Sequence, residues 1–460
     1  MTRSRAAFAW SAYLVAAAAL ALYAMITWAF AFWERRPVLY GEGAVANAAR
    51  LARDGIAYTD VDASSFVAAN YPPLYLHLAS IGDPFVSGRL ASIAATLLVA
   101  GVVFWLARPA GVIAAAALAA GWIALAPVAI WGPVLKPDLL ALALTVIAVV
   151  TLDRRRDLAA VAGFALVFAA FAKPTALLPA FALTGWLVWR DRTALARYGF
   201  GVAVGVVAAA VTVYLDSVPD VWRHVVTWNA LSWSAEQAAL IVVLGIVVIG
   251  VPAAIAVLAR ATVGARGAYL AGAIGVALLG GREGATINYL LDLTAAVMLS
   301  LASIAPRLRL GALMPVGLLV QLLIGTYALN PLSVVPGRPP STGAWSDPQK
   351  GTGFALYVFG DTRVLAEDSA LLVTRGIAPV VDDLFLWSRL VDRGVIDAEP
   401  ILRQIRDGRI GSVVAETDLE HLEAAPAFER QRWSDALVRA VLDRYRLATR
   451  AGPLWIYEPR

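Results

Sequence analysis

The sequence contains no cysteine, which excludes disulfides, thiolate metal sites and cysteine nucleophiles. Histidine is almost as scarce. His77, His224 and His421 lie far apart, and no H-E-x-x-H pattern occurs, so a zinc enzyme is not expected. Only three lysines occur, against 35 arginines. There is no G-x-x-x-x-G-K-[ST] loop, so ATP hydrolysis by that route is excluded. No G-x-S-x-G elbow exists, and Gly41-x-Gly43 and Gly351-x-Gly353 are too short for dinucleotide fingerprints. Charge is sparse too: 15% of the 460 residues are charged and 60% are apolar. A soluble domain has roughly 25% and 45–50%. A soluble globular protein, a disordered chain, a coiled coil and a disulfide scaffold are therefore all ruled out.

What the sequence does have is apolar runs. Eleven recur through the first 330 positions, at about 7–33, 84–107, 110–129, 138–152, 158–172, 174–189, 199–215, 238–259, 267–280, 286–304 and 310–329. Their lengths suit membrane-spanning helices, several of them near the short limit. Charge sets the orientation. With the N-terminus inside, the inner segments carry 13 cations against three acids, Asp153, Asp157 and Asp191. These cations include Arg154, Arg155, Arg156, Arg307 and Arg309. The asymmetry follows the positive-inside rule. An odd number of spans then leaves the C-terminal region outside. The net charge of +5 combines +8 over 1–344 with −3 over 345–460. The basic excess lies between apolar runs, where it sets topology and does not point to nucleic acid.

The expected architecture is thus a polytopic α-helical membrane protein of about eleven transmembrane helices with a small C-terminal extracytoplasmic α/β domain. Its parts are a membrane domain over 1–330, with a first outer loop at 34–83, a linker over 331–353 and the α/β domain over 354–460. In the tail, strands are expected at 363–366, 377–381, 411–415 and 453–458 and helices at 384–393, 399–407 and 434–446. Asp382-Asp383 and Asp397 stand where helix N-caps are expected. Trp222, Trp228 and Trp233 in the loop at 216–237 read as an interfacial aromatic belt.

The informative charges are cations on the outer side. Lys136 and Lys173 each precede a proline at the outer mouth of a helix. They either bind a lipid phosphate as compact point charges or snorkel among headgroups. Arg282, in Gly280–Tyr289, is a third phosphate donor or a member of a solvated ion pair, with Asn288 and Tyr289 as hydrogen-bonding neighbours. Asp292, one turn into the next helix, reads as half of an interhelical hydrogen bond. Glu42, between Gly41 and Gly43, is a general base for an acceptor hydroxyl or an acid favoured at a helix N-terminus. Asn70-Tyr71-Pro72-Pro73 reads as a structural corner. Asp54, Asp60 and Asp62 read as ordinary loop acids, with a divalent metal held by them as the less favoured alternative.

In this order the segments resemble the bacterial integral-membrane glycosyltransferases of the C-type fold. That superfamily includes the protein O-mannosyltransferase-like and aminoarabinose-transferase-like enzymes. The resemblance rests on Tyr40-Gly41-Glu42-Gly43, Asn70 through Tyr75, Gly88-Arg89-Leu90, Lys136-Pro137-Asp138 through Leu142, Ala172 through Ala176, and Gly281-Arg282-Glu283-Gly284 through Asn288-Tyr289. These span about 1–330, and the tail resembles the outer domain of some members. The resemblance implies a polyprenyl-phosphate sugar donor, a lipid, glycan or protein acceptor on the outer face, and inversion at the anomeric carbon. It makes Glu42 the base and Lys136, Lys173 and Arg282 the phosphate ligands. Arg89, Asn70, Tyr71, Asp138, Asn288 and Tyr289 become supporting residues. Many members carry two adjacent acids where this chain has one, which leaves metal dependence and acceptor type open. Where many relatives have Arg, this chain has Lys136. The implied activity is a multi-pass cell-membrane glycosyltransferase with no certain cofactor. The alternatives are a transporter or flippase of the same lipid and a non-catalytic scaffold. Nucleotide sugars are made inside, so an outward-facing transferase must draw its activated sugar from the bilayer.

Overall fold

In a computed structural model the described residues are 3–34, 37–58, 64–306, 313–329, 363–452 and 454–460. The expected linker at 331–353, the start of the 354–460 domain, Asp60, Asp62, Arg307 and Arg309 lie outside them. The chain divides into two units. One comprises Met1–Ala29, Arg89–Val213 and Ser232–Val334; the other comprises Phe30–Gly88, Tyr214–Leu231 and Val335–Arg460.

Each of the eleven apolar runs contains helix over its described residues. Among the described residues, five helices are long and apolar enough to cross a bilayer: Arg5–Trp33, Pro84–Ala110, Arg192–Leu215, Ala235–Leu258 and Ile287–Ile304. The other six are shorter, from 13 residues (Val112–Ala124) to 17 (Asp138–Arg154 and Leu313–Leu329). At about 1.5 Å per residue, 17 residues cover less than a ~30 Å hydrocarbon core. The run expected as one span at 110–129 is two helices, Val112–Ala124 and Ala126–Trp131. Leu125 is extended between them (φ −61°, ψ 130°), and Pro127 has no N–H with which to continue the first helix. Small residues let neighbouring helices touch. A Cβ on Gly201 would meet the Ala160 carbonyl oxygen at 1.8 Å, so helix Arg192–Leu215 packs backbone to backbone on helix Ala159–Ala172.

The second unit contains a four-stranded sheet, β1 (Arg363–Ala366), β2 (Ile410–Ala415), β3 (Tyr445–Ala451) and β4 (Leu454–Pro459), in the order β1-β2-β4-β3. β1 and β2 are parallel, and β4 is antiparallel to both its neighbours. Alternation along the strands builds two cores. Leu365, Val413, Ala415 and Tyr457 enter one, with Trp387 and Leu437 from the covering helices. Val364, Ala366, Val414 and Ile456 enter the other.

Three expectations, two of them in the tail, need correction. Residues 377–381 form no strand: Val381 makes one parallel bridge, to Phe66. The helix expected at 434–446 ends at Arg444, and the chain turns directly into β3, which sequence reading missed. Trp228 is no interfacial residue. It is 6% exposed in the first core, its ring centroid 5.0 Å from that of Phe66, whereas Trp222 and Trp233 are exposed. The loop at 34–83, read in sequence as part of the membrane domain, therefore shares a core with the tail through Phe66 and Ala68.

Candidate active site

Two clusters gather the residues of interest, one in each unit.

In the first unit, proline chemistry sets out the cluster. The residue before a proline avoids the α region. Lys173 accordingly turns extended (φ −147°, ψ 119°) and ends helix Ala159–Ala172. Its ammonium donates to Asp138 Oδ1 at 2.5 Å, and both side chains are buried. Asp138 opens helix Asp138–Arg154 directly after Pro137. Asn288 Nδ2 donates to the same Oδ1 at 2.7 Å, and Thr286 Oγ1 orients Asn288 by donating to its Oδ1 at 2.9 Å. The Lys173 ammonium lies 4.9 Å from the Tyr289 ring centroid. Asp138 Oδ2 is buried without a protein hydrogen-bond partner among the described residues. Asp138, Thr145, Lys173, Asn288 and Asp292 line a small cavity. Asp292 accepts from the Tyr269 hydroxyl at 3.0 Å, the interhelical bond its position predicts.

Lys136 stands apart from this pair. Its segment is anchored by Ser92 Oγ, which donates to the Val134 carbonyl at 2.8 Å. Its ammonium lies 6.0 Å from the Trp131 ring centroid and makes no ion pair among the described residues. Arg89 is fully buried on helix Pro84–Ala107, in the helical register of the buried Ser92 and Thr96. Arg282 is half-buried, and its backbone bridges to Trp233. The structure thus brings Asp138, Lys173, Asn288 and Tyr289 together. It gives Lys173 an internal carboxylate partner that sequence reading did not foresee.

In the second unit, Glu42 opens helix Glu42–Arg53 after Gly41, whose left-handed φ of 82° suits glycine. The Glu42 side chain is fully buried. Its Oε2 accepts from the amides of Val38 and Leu39, the latter at 3.2 Å. These bonds are those of a helix-terminal acid, and they also fix the carboxylate's direction. Asn70 and Tyr71 form the expected corner. The Asn70 carbonyl accepts from Asn229 Nδ2 at 2.8 Å, and the Tyr71 carbonyl accepts from the Tyr58 hydroxyl at 2.7 Å.

Around Glu42 lies a buried polar group that sequence reading missed. Asp382 Oδ1 accepts from the Ala68 amide at 2.7 Å and Oδ2 from Asn47 Nδ2 at 3.0 Å. Asp383, as expected, caps helix Leu384–Asp392 through the Leu386 amide at 3.0 Å. Arg432 is 3% exposed, with Nη1 3.0 Å from Glu367 Oε1 and 2.9 Å from Glu416 Oε2. A signal existed: the adjacent parallel strands β1 and β2 are each followed directly by an acid, Glu367 and Glu416. The tips of parallel strands are where side chains of an α/β unit converge.

Burial dominates these carboxyls. It pushes Asp368 up to about 6, with Glu42 and Glu367 adding to the rise while the Ala370 amide and Arg432 oppose it. Asp382 is pushed up to about 8, again by burial first. An acid raised on folding stabilises the fold while protonated, below the ordinary carboxylate range, and loses that contribution as pH rises through its folded value. The stability of the wild type is therefore expected to fall between about pH 4 and pH 8, with a slope of at most ~1.4 kcal/mol per pH unit from this one group. Asp382→Asn, neutral at every pH, is expected to flatten that slope and melt higher than wild type at pH 8.5. Thermal unfolding at pH 5.5 and 8.5 measures both.

No family model matches the chain, and no curated protein matches it. Two solved structures share its fold. ArnT from Cupriavidus metallidurans in the apo state gives a TM-score of 0.63 at 14% identity, covering 97% of each chain. The same organism's ArnT bound to undecaprenyl phosphate gives 0.60 at 15% identity, over 95% of this chain and 97% of that one. The expected architecture, a polytopic helical membrane part with a small C-terminal α/β part, is the one these structures share.

Proposed function

We propose that the chain is a membrane glycosyltransferase. It moves a sugar from a polyprenyl-phosphate donor to an acceptor hydroxyl on the extracytoplasmic face of the cell membrane, with inversion. The observation that carries this reading is the likeness over almost the whole chain to a protein whose structure holds undecaprenyl phosphate. In the reaction the acceptor oxygen attacks the anomeric carbon, the bond from that carbon to the phosphate oxygen breaks, and polyprenyl phosphate leaves. The proton of the acceptor goes to Glu42, whose carboxylate the Val38 and Leu39 amides hold in one direction. Because Glu42 is buried, the acceptor meets it only where the structure opens around it.

Charge develops on the departing phosphate, and cations placed there lower the barrier. Lys136, which makes no ion pair among the described residues, supplies the phosphate contact. Lys173, neutralised by Asp138, acts through the pair and holds the neighbouring Asn288 in place. Arg282 remains a second phosphate ligand. Lys136→Gln is expected to raise the donor KM by ~10-fold or more, the value of one charge-assisted hydrogen bond of about 1.5–3 kcal/mol.

The test uses the full-length protein in proteoliposomes with a radiolabelled polyprenyl-phosphate sugar and a cell-envelope extract as acceptor pool. Label in a new covalent product, with polyprenyl phosphate released, supports the proposal. Label that crosses the bilayer with its phosphate bond intact makes the protein a transporter, and no turnover of any labelled donor leaves a scaffold.

A further inference from the structure

We infer that Arg432 is a positioning residue for the turn that carries Glu42, so that the C-terminal α/β part sets the direction of the proposed base through the Tyr40 ring. The inference rests on the proposed function and goes beyond it.

Four observations, all within the second unit, carry it. The Arg432 guanidinium lies 4.2 Å from the Tyr40 ring centroid and 5.0 Å from that of Phe428. A desolvated cation over an aromatic face is a strong contact. Tyr40 is also held at its tip. Its hydroxyl accepts from the Phe385 amide at 2.9 Å and lies 3.4 Å from Asp383 Oδ1. The ring is thus fixed in plane and in direction, two residues before Glu42. One residue after Glu42, Gly43 presses on the backbone of Ala370, leaving no room for a Cβ. Glu42 is therefore clamped on both sides by the C-terminal part.

The fourth observation is electrostatic. Glu367, Asp368 and Glu416 converge on Arg432, and Glu42 is near enough to oppose ionisation of Asp368. Arg432 itself is held more firmly protonated than usual: burial works against its charge, but Glu367, Tyr40, Glu416 and Asp368 outweigh it. A buried charge group of this kind is weak as a source of stability, since apolar residues of similar volume do as well or better. A planar cation that meets two carboxylates through one nitrogen, Nη1, while its central carbon lies over a ring is, by contrast, a geometric device.

Lysine separates the two roles. Arg432→Lys keeps a cation for Glu367 and Glu416 but loses the flat face over Tyr40. We expect it to accumulate and melt close to wild type, to lower kcat by ~10-fold or more through misdirection of the base, and to leave the donor KM within about twofold. Tyr40→Leu removes the other half of the stack. The double variant is expected to be no worse than the more impaired single one, because contacting residues couple. Should Arg432→Lys fail to accumulate, Phe428→Leu, which leaves both ion pairs intact, is expected to lower kcat with the donor KM unchanged. An unchanged kcat, a rise in donor KM in place of a kcat loss, or additive losses in the double variant would overturn the inference. Glu42→Gln, assayed alongside, separates the two readings. If it is inactive while Arg432→Lys turns over normally, only this inference falls. If it turns over normally, the base assignment falls and takes the inference with it.

Discussion

Glu42→Gln is expected to lose ~10²- to 10⁴-fold in turnover without losing stability, the range that a positioned general base contributes. Glutamine keeps a side-chain oxygen for the amides of Val38 and Leu39, so the start of helix Glu42–Arg53 survives. It removes the one property a base requires, a carboxylate that takes up a proton. It also removes a negative charge that opposes ionisation of the buried Asp368, so the fold is expected to be at least as stable as wild type at pH 7.5. The combination is diagnostic. A helix-terminal acid with no catalytic part would leave the transfer rate where it was. Purified variant and wild type, compared for turnover of labelled donor and for melting temperature, decide between the two roles.

Gly43→Ala is expected to damage both stability and turnover. A Cβ at residue 43 would stand 2.2 Å from the Ala370 nitrogen, 2.5 Å from Ser369 Oγ and 2.7 Å from Ala370 Cα. Ordinary contact between such atoms begins near ~3.5 Å. Neither neighbour yields readily: Ser369 Oγ donates to the Asp382 carbonyl at 2.6 Å, and the Ala370 amide donates to Asp368 Oδ1 at 3.0 Å. Alanine in a helix is favoured over glycine by ~1 kcal/mol, which works the other way. Overpacking against backbone typically costs ~1–3 kcal/mol, and three contacts this short place the change at the upper end. We expect a lower melting temperature and a kcat loss, with the donor KM unchanged. A variant as stable and as active as wild type would mean that the turn and the C-terminal part need not touch.

Much of this architecture was readable from local pattern. Each apolar run marked a helical segment among the described residues, because burial in lipid or in a helical bundle demands the same composition along the chain. Three of the four strands were found from β-branched runs, and Asp383 was identified as a cap from its place before an apolar period. β3 was missed because Tyr-Arg-Leu-Ala-Thr-Arg-Ala is charged and exposed along much of its length and owes its extended form to pairing with β4. Trp228 was misassigned because a tryptophan suits an aromatic belt and a protein core equally well, and only Phe66, more than 160 positions away, decides between them.

The candidate site divides in the same way. Sequence alone established that the chain is membrane-bound, that two of its three lysines precede prolines, and that one acid stands between glycines near the first helix, because hydropathy, proline and glycine act through neighbouring residues. Tertiary structure alone decided that Lys173 belongs to Asp138, 35 residues away, that Asp382 ties Asn47 and Ala68 to the tail, and that Arg432 lies over Tyr40. Those pairings follow from where distant segments meet once their apolar faces are buried, and a desolvated charge takes whichever partner that meeting brings within reach.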